Sequence, residues 1–188
     1  MKRILHTGSK FIDFSKEINV TDTMLNKPDS ISGCLWGSTL IKLPGNKVGS
    51  SWKYYTSGAE YLSKDYKYGV SFTLNRKSKI LEINNLNDYK SAMKRYGCKI
   101  HDYDLRYCLD FAKISKEYDA FHLTEDAFWR LRMPIDKEFN DLNYEDFYCY
   151  DAESWIIFNL NAINKGSILS HNNVTGYEDY EEDEDYDY

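Results

Sequence analysis

The stretch Phe147 to Asn161, FYCYDAESWIIFNLN, sets an aromatic run against Asp151-Ala152-Glu153-Ser154 and then against the β-rich segment Trp155-Ile156-Ile157-Phe158. A carboxylate placed where a loop enters a largely buried strand sits at the rim of a core, partly desolvated and fixed in direction. A group that stabilises a developing positive charge or moves a proton needs that setting. Glu153 is the first candidate. Its expected partner lies near the start of the chain, in Arg3-Ile4-Leu5-His6-Thr7-Gly8-Ser9. A short apolar run delivers His6 at its end, and Thr7-Gly8-Ser9 then turns the chain and offers a hydroxyl and unhindered backbone groups. For the two to act together, His6 and Glu153 must line one crevice.

The elements that would position them read as follows. Residues 2–6 form a short strand, followed by a polar loop through Pro28-Asp29-Ser30. Residues 33–39, Gly-Cys-Leu-Trp-Gly-Ser-Thr, form a second strand between turn formers, and Gly33 and Gly37 let a flat ligand approach the backbone. Ser50 or Ser51 caps a helix whose inward face carries Trp52, Tyr55, Ala59 and Leu62. Residues 68–74 and 79–83 alternate as two strands of a hairpin around Asn75-Arg76-Lys77-Ser78. A helix starting at Asn85 or Asn87 carries Tyr89, Met93 and Tyr96 and stops at Gly97 in a left-handed cap. Residues 103–117 place Leu105, Cys108, Leu109 and Ala112 on one helical face. Residues 118–124 read as a strand, residues 125–133 as a short helix ended by Pro134 and residues 135–146 as charged loop. Strands and helices do not alternate regularly, so the pattern predicts an α+β fold with a largely antiparallel, two-part sheet.

Composition narrows the function. The chain has 188 residues, 42% hydrophobic and 16% aromatic, enough for one domain with a proper core and too few to expect two. Net charge is −6, but residues 177–188 carry eight of the 30 acids and no base, which leaves +2 for residues 1–176. The reading is a single domain over 1–176 and an acidic, Tyr-rich tail over 177–188. Cys34, Cys98, Cys108 and Cys149 form no CxxC pair, and a Cys98, His101, Cys108 set lacks a fourth ligand at convincing spacing, so no metal site is expected. Reduced thiols, the absence of an apolar run long enough for a span and an N-terminus without a secretory signal place the protein in a cytoplasm, bacterial or host, away from membranes. GxGxxG and GxxxxGK[ST] are absent, which argues against Rossmann and P-loop sites. Basic clusters such as Lys94-Arg95 are too small for direct nucleic-acid binding. Trp52, Trp129 and Trp155 read as core aromatics, and His101, His122 and His171 as hydrogen-bonded structural residues.

Three separated elements, His6-Thr7-Gly8-Ser9, Gly33-Cys34-Leu35-Trp36-Gly37-Ser38 and Glu153-Ser154-Trp155, resemble in their order the ADP-ribosyltransferase-like fold, especially its small phage and bacterial members of the His-aromatic-Glu type. The resemblance spreads over residues 1–163. It implies a split, mostly antiparallel sheet with flanking helices and binding of NAD+, as substrate, in a cleft between two small sheets. His6 would hydrogen-bond the adenosine-side ribose, Thr7 and Gly8 would contact the nicotinamide amide, and Trp36 would lie where the family often has a Tyr stacked on nicotinamide. Glu153 would be the catalytic acid residue, with Asp151 able to share or take the role because the carboxylate sits in Asp-Ala-Glu. Ser38, Ser50 and Ser51 offer hydroxyl or N–H donors to the cofactor. A carboxylate of this kind stabilises the oxocarbenium-like state formed as nicotinamide leaves.

The leading expectation is therefore an NAD+-dependent mono-ADP-ribosyltransferase that modifies a protein, a phage-encoded effector against a host factor. One alternative is a non-catalytic inhibitor that docks its acidic Tyr-rich tail on a nucleic-acid-binding protein, with an affinity that falls with salt. The other is an NAD+ glycohydrolase toxin, which uses the same site with water as acceptor.

Overall fold

The apolar run before His6 forms β1 (Ile4–Thr7), with Ile4 and Leu5 buried and His6 and Thr7 half-buried at its end. The computed structural model describes residues 2–21, 23–24, 26–28, 34–58, 67–99, 106–134 and 137–175. The polar loop contains a small hairpin, β2 (Thr23–Met24) and β3 (Lys27–Pro28). Asn26 turns it at φ 56°, in the left-handed region that Asn tolerates better than most residues. The second predicted strand is β4 (Leu35–Thr39); β5 (Ile41–Lys42), β6 (Val48–Gly49) and α1 (Ser51–Gly58) follow. Ser50 caps α1, its Oγ accepting from the Lys53 N–H at 3.2 Å. The inner face differs from the predicted one: Lys53 and Thr56 are buried and Trp52 and Tyr55 half-buried, while Ala59 and Leu62 lie outside the described residues.

β7 (Gly69–Phe72) and β8 (Ile80–Ile83) occupy the two strands read as a hairpin. α2 (Leu86–Tyr96) follows its Asn85 cap and buries Tyr89, Met93 and Tyr96, as its periodicity predicts. Gly97 ends it with φ −64° and ψ 137°, extended and not left-handed. Glycine is needed there for space, because a Cβ would lie 2.5 Å from the Met93 carbonyl oxygen. Residues 97–117 then correct the predicted long helix: β9 (Gly97–Lys99) pairs with β10 (Tyr107–Leu109), and only α3 (Phe111–Glu117) is helical. Asp110 sets that boundary by accepting from the Lys113 N–H, and Leu105 lies outside the described residues. β11 (Ala120–Leu123), α4 (Glu125–Arg132) capped by Thr124, a short α5 (Lys137–Asn140) inside the predicted charged loop, β12 (Ser154–Ile157) and β13 (Leu169–His171) complete the described chain.

Seven strands form one sheet in the order β13-β7-β1-β4-β12-β11-β8, antiparallel throughout except between β8 and β11. The fold is α+β with a mostly antiparallel sheet, as the order of elements predicts. The hairpin is not formed: β7 pairs with β1 and β13, whereas β8 lies at the far edge against β11. The turn at Asn75 to Ser78 exists, but Asn75 N–H bonds the Ala162 carbonyl and Leu74 bridges Ile163, so the chain leaves β7 across the sheet. Alternation identified both strands and could not name their neighbours.

The sheet changes hands at β4. Leu35, Trp36 and Gly37 pair with β12, while Ser38 and Thr39 pair with β1. Alternate residues of β12 enter different cores, Ile156 with Phe121, Leu123 and the inward faces of α2, α3 and α4, and Trp155 and Ile157 with Ile4, Phe72, Leu74 and Ala120. A strand buried on both sides reads as the continuous apolar run Trp-Ile-Ile. Among the described residues no helix is long and apolar enough to cross a membrane, and residues 177–188 lie outside them.

Candidate functional site

A cleft of about 320 Å³ opens where β4 changes partners. Its wall takes His6 and Thr7 from the end of β1, Trp36, Gly37 and Ser38 from β4, and Trp52 from the first turn of α1. Lys27 of β3, Cys149, Tyr150 and Asp151 from the loop before β12, and Ser154 at the start of β12 complete it. Two indoles, hydroxyl groups, one imidazole, one ammonium and one carboxylate thus face one space, a volume at the lower end of the range of ligand clefts, about 300–1,000 Å³.

His6 Nδ1 lies 2.7 Å from the Trp36 carbonyl oxygen. A carbonyl only accepts, so Nδ1 carries the hydrogen and a neutral ring keeps Nε2 as an acceptor. Burial lowers the His6 pKa, an effect that the Trp36 carbonyl opposes without overcoming, so the ring is neutral at neutral pH. Trp36 packs on Tyr150 at 5.7 Å between ring centres, with Lys27 Nζ 5.4 Å from its own ring. Burial pushes the Cys149 thiol and, further, the Tyr150 hydroxyl away from ionisation.

The loop that carries Asp151 is held from behind by Asn26, which is fully buried. Its Nδ2 donates to Tyr89 Oη and to the Glu145 carbonyl, each at 2.6 Å, its Oδ1 accepts from the Leu109 N–H at 2.7 Å, and its main-chain oxygen accepts from Tyr150 Oη at 2.8 Å. Asn26 therefore ties β10, α2 and the 145–150 loop to the turn that precedes Lys27.

Glu153 does not line the cleft, which corrects the expectation that it and His6 share one cavity. Its carboxylate is buried and already taken: Oε2 accepts from the Thr39 N–H and Oε1 from Thr39 Oγ1, both at 2.7 Å, and His122 Nε2 lies 2.6 Å from Oε1. His122 Nδ1 lies 2.7 Å from Glu82 Oε2, so the imidazole bridges the two carboxylates. The imidazole is fully buried and stacks on Trp155 at 3.8 Å, and Trp155 Nε1 donates to Thr39 Oγ1 at 3.1 Å. On the main chain, the Glu153 carbonyl accepts from Ser38 Oγ at 2.7 Å. His6 and Glu153 thus grip β4 two residues apart, at Trp36 and at Ser38, and only His6 faces the cleft.

Of the other residues singled out in the sequence, Thr7, Trp36, Ser38 and Asp151 stand in the cleft wall. Gly8, Ser50 and Ser51 do not. Gly8 turns the chain at φ 85° and donates its N–H to the Tyr68 carbonyl at 3.0 Å, and the Ser50 hydroxyl is engaged as the helix cap. Trp52 lines the cleft instead of a core, and Trp129 is 65% exposed beside a separate groove with Met133 and Phe139, so of the three tryptophans read as core only Trp155 is buried. Lys27 was missed because its signal is spatial, and Cys149, Tyr150 and Ser154 because the stretch 147–161 was read for its carboxylates alone. Comparisons of the chain with known protein families, with curated proteins and with solved structures found no match.

Proposed function

We propose that the cleft takes the nicotinamide end of NAD+ and that the protein is a mono-ADP-ribosyltransferase acting on a protein side chain, with Asp151 as the carboxylate at the reacting ribose. The observation that carries this reading is the meeting of His6, Trp36, Trp52 and Asp151 at the point where the sheet changes partners. The resemblance to the ADP-ribosyltransferase-like fold supports it, since that fold binds NAD+ between the parts of a split sheet. The chemistry fits the residues. The nicotinamide ring of NAD+ is a cation, and indole faces attract cations by about 0.5–2 kcal/mol. His6 Nε2 accepts a hydrogen bond from a ribose hydroxyl while the ring stays neutral.

In the reaction, the bond between the ribose anomeric carbon and the nicotinamide nitrogen breaks. Its electron pair goes to the pyridinium, which leaves neutral, and positive charge develops on the ribose. The Asp151 carboxylate opposes that charge and takes the proton released when the acceptor nucleophile bonds the anomeric carbon. Glu153 acts from behind, fixing the entry to β12 that presents Asp151 and Ser154.

Labelled NAD+ incubated with the protein and a bacterial lysate tests this directly. Wild type is expected to transfer label to protein and to release nicotinamide in equal amount. Asp151→Asn should lower the rate by about 10²–10⁴-fold while NAD+ affinity changes little. Transfer by Asp151→Asn at the wild-type rate overturns the role of Asp151. Label recovered only as free ADP-ribose makes water the acceptor.

A further inference from the structure

Cys98 and Cys108 stand directly opposite each other in the register of β9 and β10, and their sulfurs are 3.7 Å apart. Both are reduced. Opposed positions of an antiparallel pair put Cα atoms about 4.5–5.5 Å apart, inside the span of about 4.4–6.8 Å that a disulfide bridges. The sulfurs need only approach to about 2.05 Å, a rotamer adjustment and not a backbone rearrangement. We infer that Cys98 and Cys108 form a thiol–disulfide site, oxidised by a small disulfide such as glutathione disulfide.

The two thiols have different parts. Cys98 is half-buried, and Cys108 opposite it is fully buried, its thiol pushed up to about 12 chiefly by that burial. Cys98 therefore reacts first. Its sulfur attacks one sulfur of glutathione disulfide, and the released glutathione takes up the Cys98 proton. Cys108 then attacks Cys98 Sγ and displaces the second glutathione, which leaves with the Cys108 proton. Two protein thiols are oxidised to one disulfide and one glutathione disulfide is reduced to two glutathione molecules. The product locks β9 to β10 next to Leu109, whose N–H bonds Asn26 Oδ1, and Asn26 in turn receives Tyr150 Oη from the wall of the cleft. The oxidised pair thus stands one residue from the contact that holds that wall.

Sequence makes the test clean, because Lys99 and Arg106 lie between the two cysteines and trypsin separates them unless a disulfide joins them. The full chain is treated with glutathione disulfide, alkylated and digested without reductant. The expected result is residues 96–99 joined to residues 107–113, short by two hydrogens. Cys108→Ser should instead hold glutathione on Cys98, and the joined peptide of the wild type decides the inference even if that variant folds poorly. Wild type in which Cys98 keeps its glutathione and no joined peptide forms overturns the inference, as does a metal ion found held between the two sulfurs.

Discussion

His6 is half-buried on a sheet end, bonded through Nδ1 to a carbonyl, and its protonated form has lost water without gaining an anion. Its pKa in the folded protein is therefore below the unfolded value of about 6.5. The sign follows: between the two values the unfolded chain binds more protons, so stability rises with pH there, is complete above about 6.5 and is lost as pH falls toward the folded pKa. Urea unfolding measured from pH 5 to pH 7.5 should show a steeper acid loss for wild type than for His6→Gln, and His171, also lowered, cancels in the difference. Equal slopes would show that the ring is free to charge. At this scale the sequence was partly legible. His6, Thr7, Trp36, Ser38 and Asp151 have residue types that suit a site, and all five stand in the cleft wall. The sequence put Glu153 ahead of Asp151, whereas Asp151 is the one in the cleft wall: the chain bends at 152–153 just before β12 begins, and alternation carries no information across a bend.

β12 is the element on which the site depends, and its start is secured by Glu153. Truncating that side chain leaves the Thr39 N–H, Thr39 Oγ1 and His122 Nε2 without their acceptor inside a packed interior. Glu153→Ala should cost about 2–5 kcal/mol of unfolding free energy, since each buried polar group left without its partner costs about 1–3 kcal/mol. A loss below about 1 kcal/mol would mean water replaces the carboxylate, and the element would not be held as described. The helices α2 and α4 were legible, since the Asn85 cap with the apolar positions Tyr89, Met93 and Tyr96, and the stop at Pro134, are local signals; the Thr124 cap of α4 was hidden because that residue read as the end of the strand before it. The network behind β12 was not, because Glu82, His122 and Glu153 are 31 and 40 residues apart in pairs. The same holds for Asn26, whose contacts reach 63 to 124 residues along the chain. Three-residue β10 was hidden inside an apparent helical period, because so short a strand has too few positions to show its own.

At the scale of the whole molecule, one sheet is built from two sets of strands that share β4, and the cleft lies at that junction. The class of fold was legible from the order of elements; strand order was not, since β7 and β8 satisfy the same alternation with different neighbours. Tryptophan indole signals report on the junction directly, because Trp36 and Trp52 line the cleft, Trp155 is buried behind it and Trp129 faces a separate groove. In protein labelled with nitrogen-15 at tryptophan, titration with NAD+ should move the Trp36 and Trp52 indole signals together and saturably and leave Trp129 in place. If neither moves, or if Trp129 moves in their stead, the cleft is not where NAD+ binds.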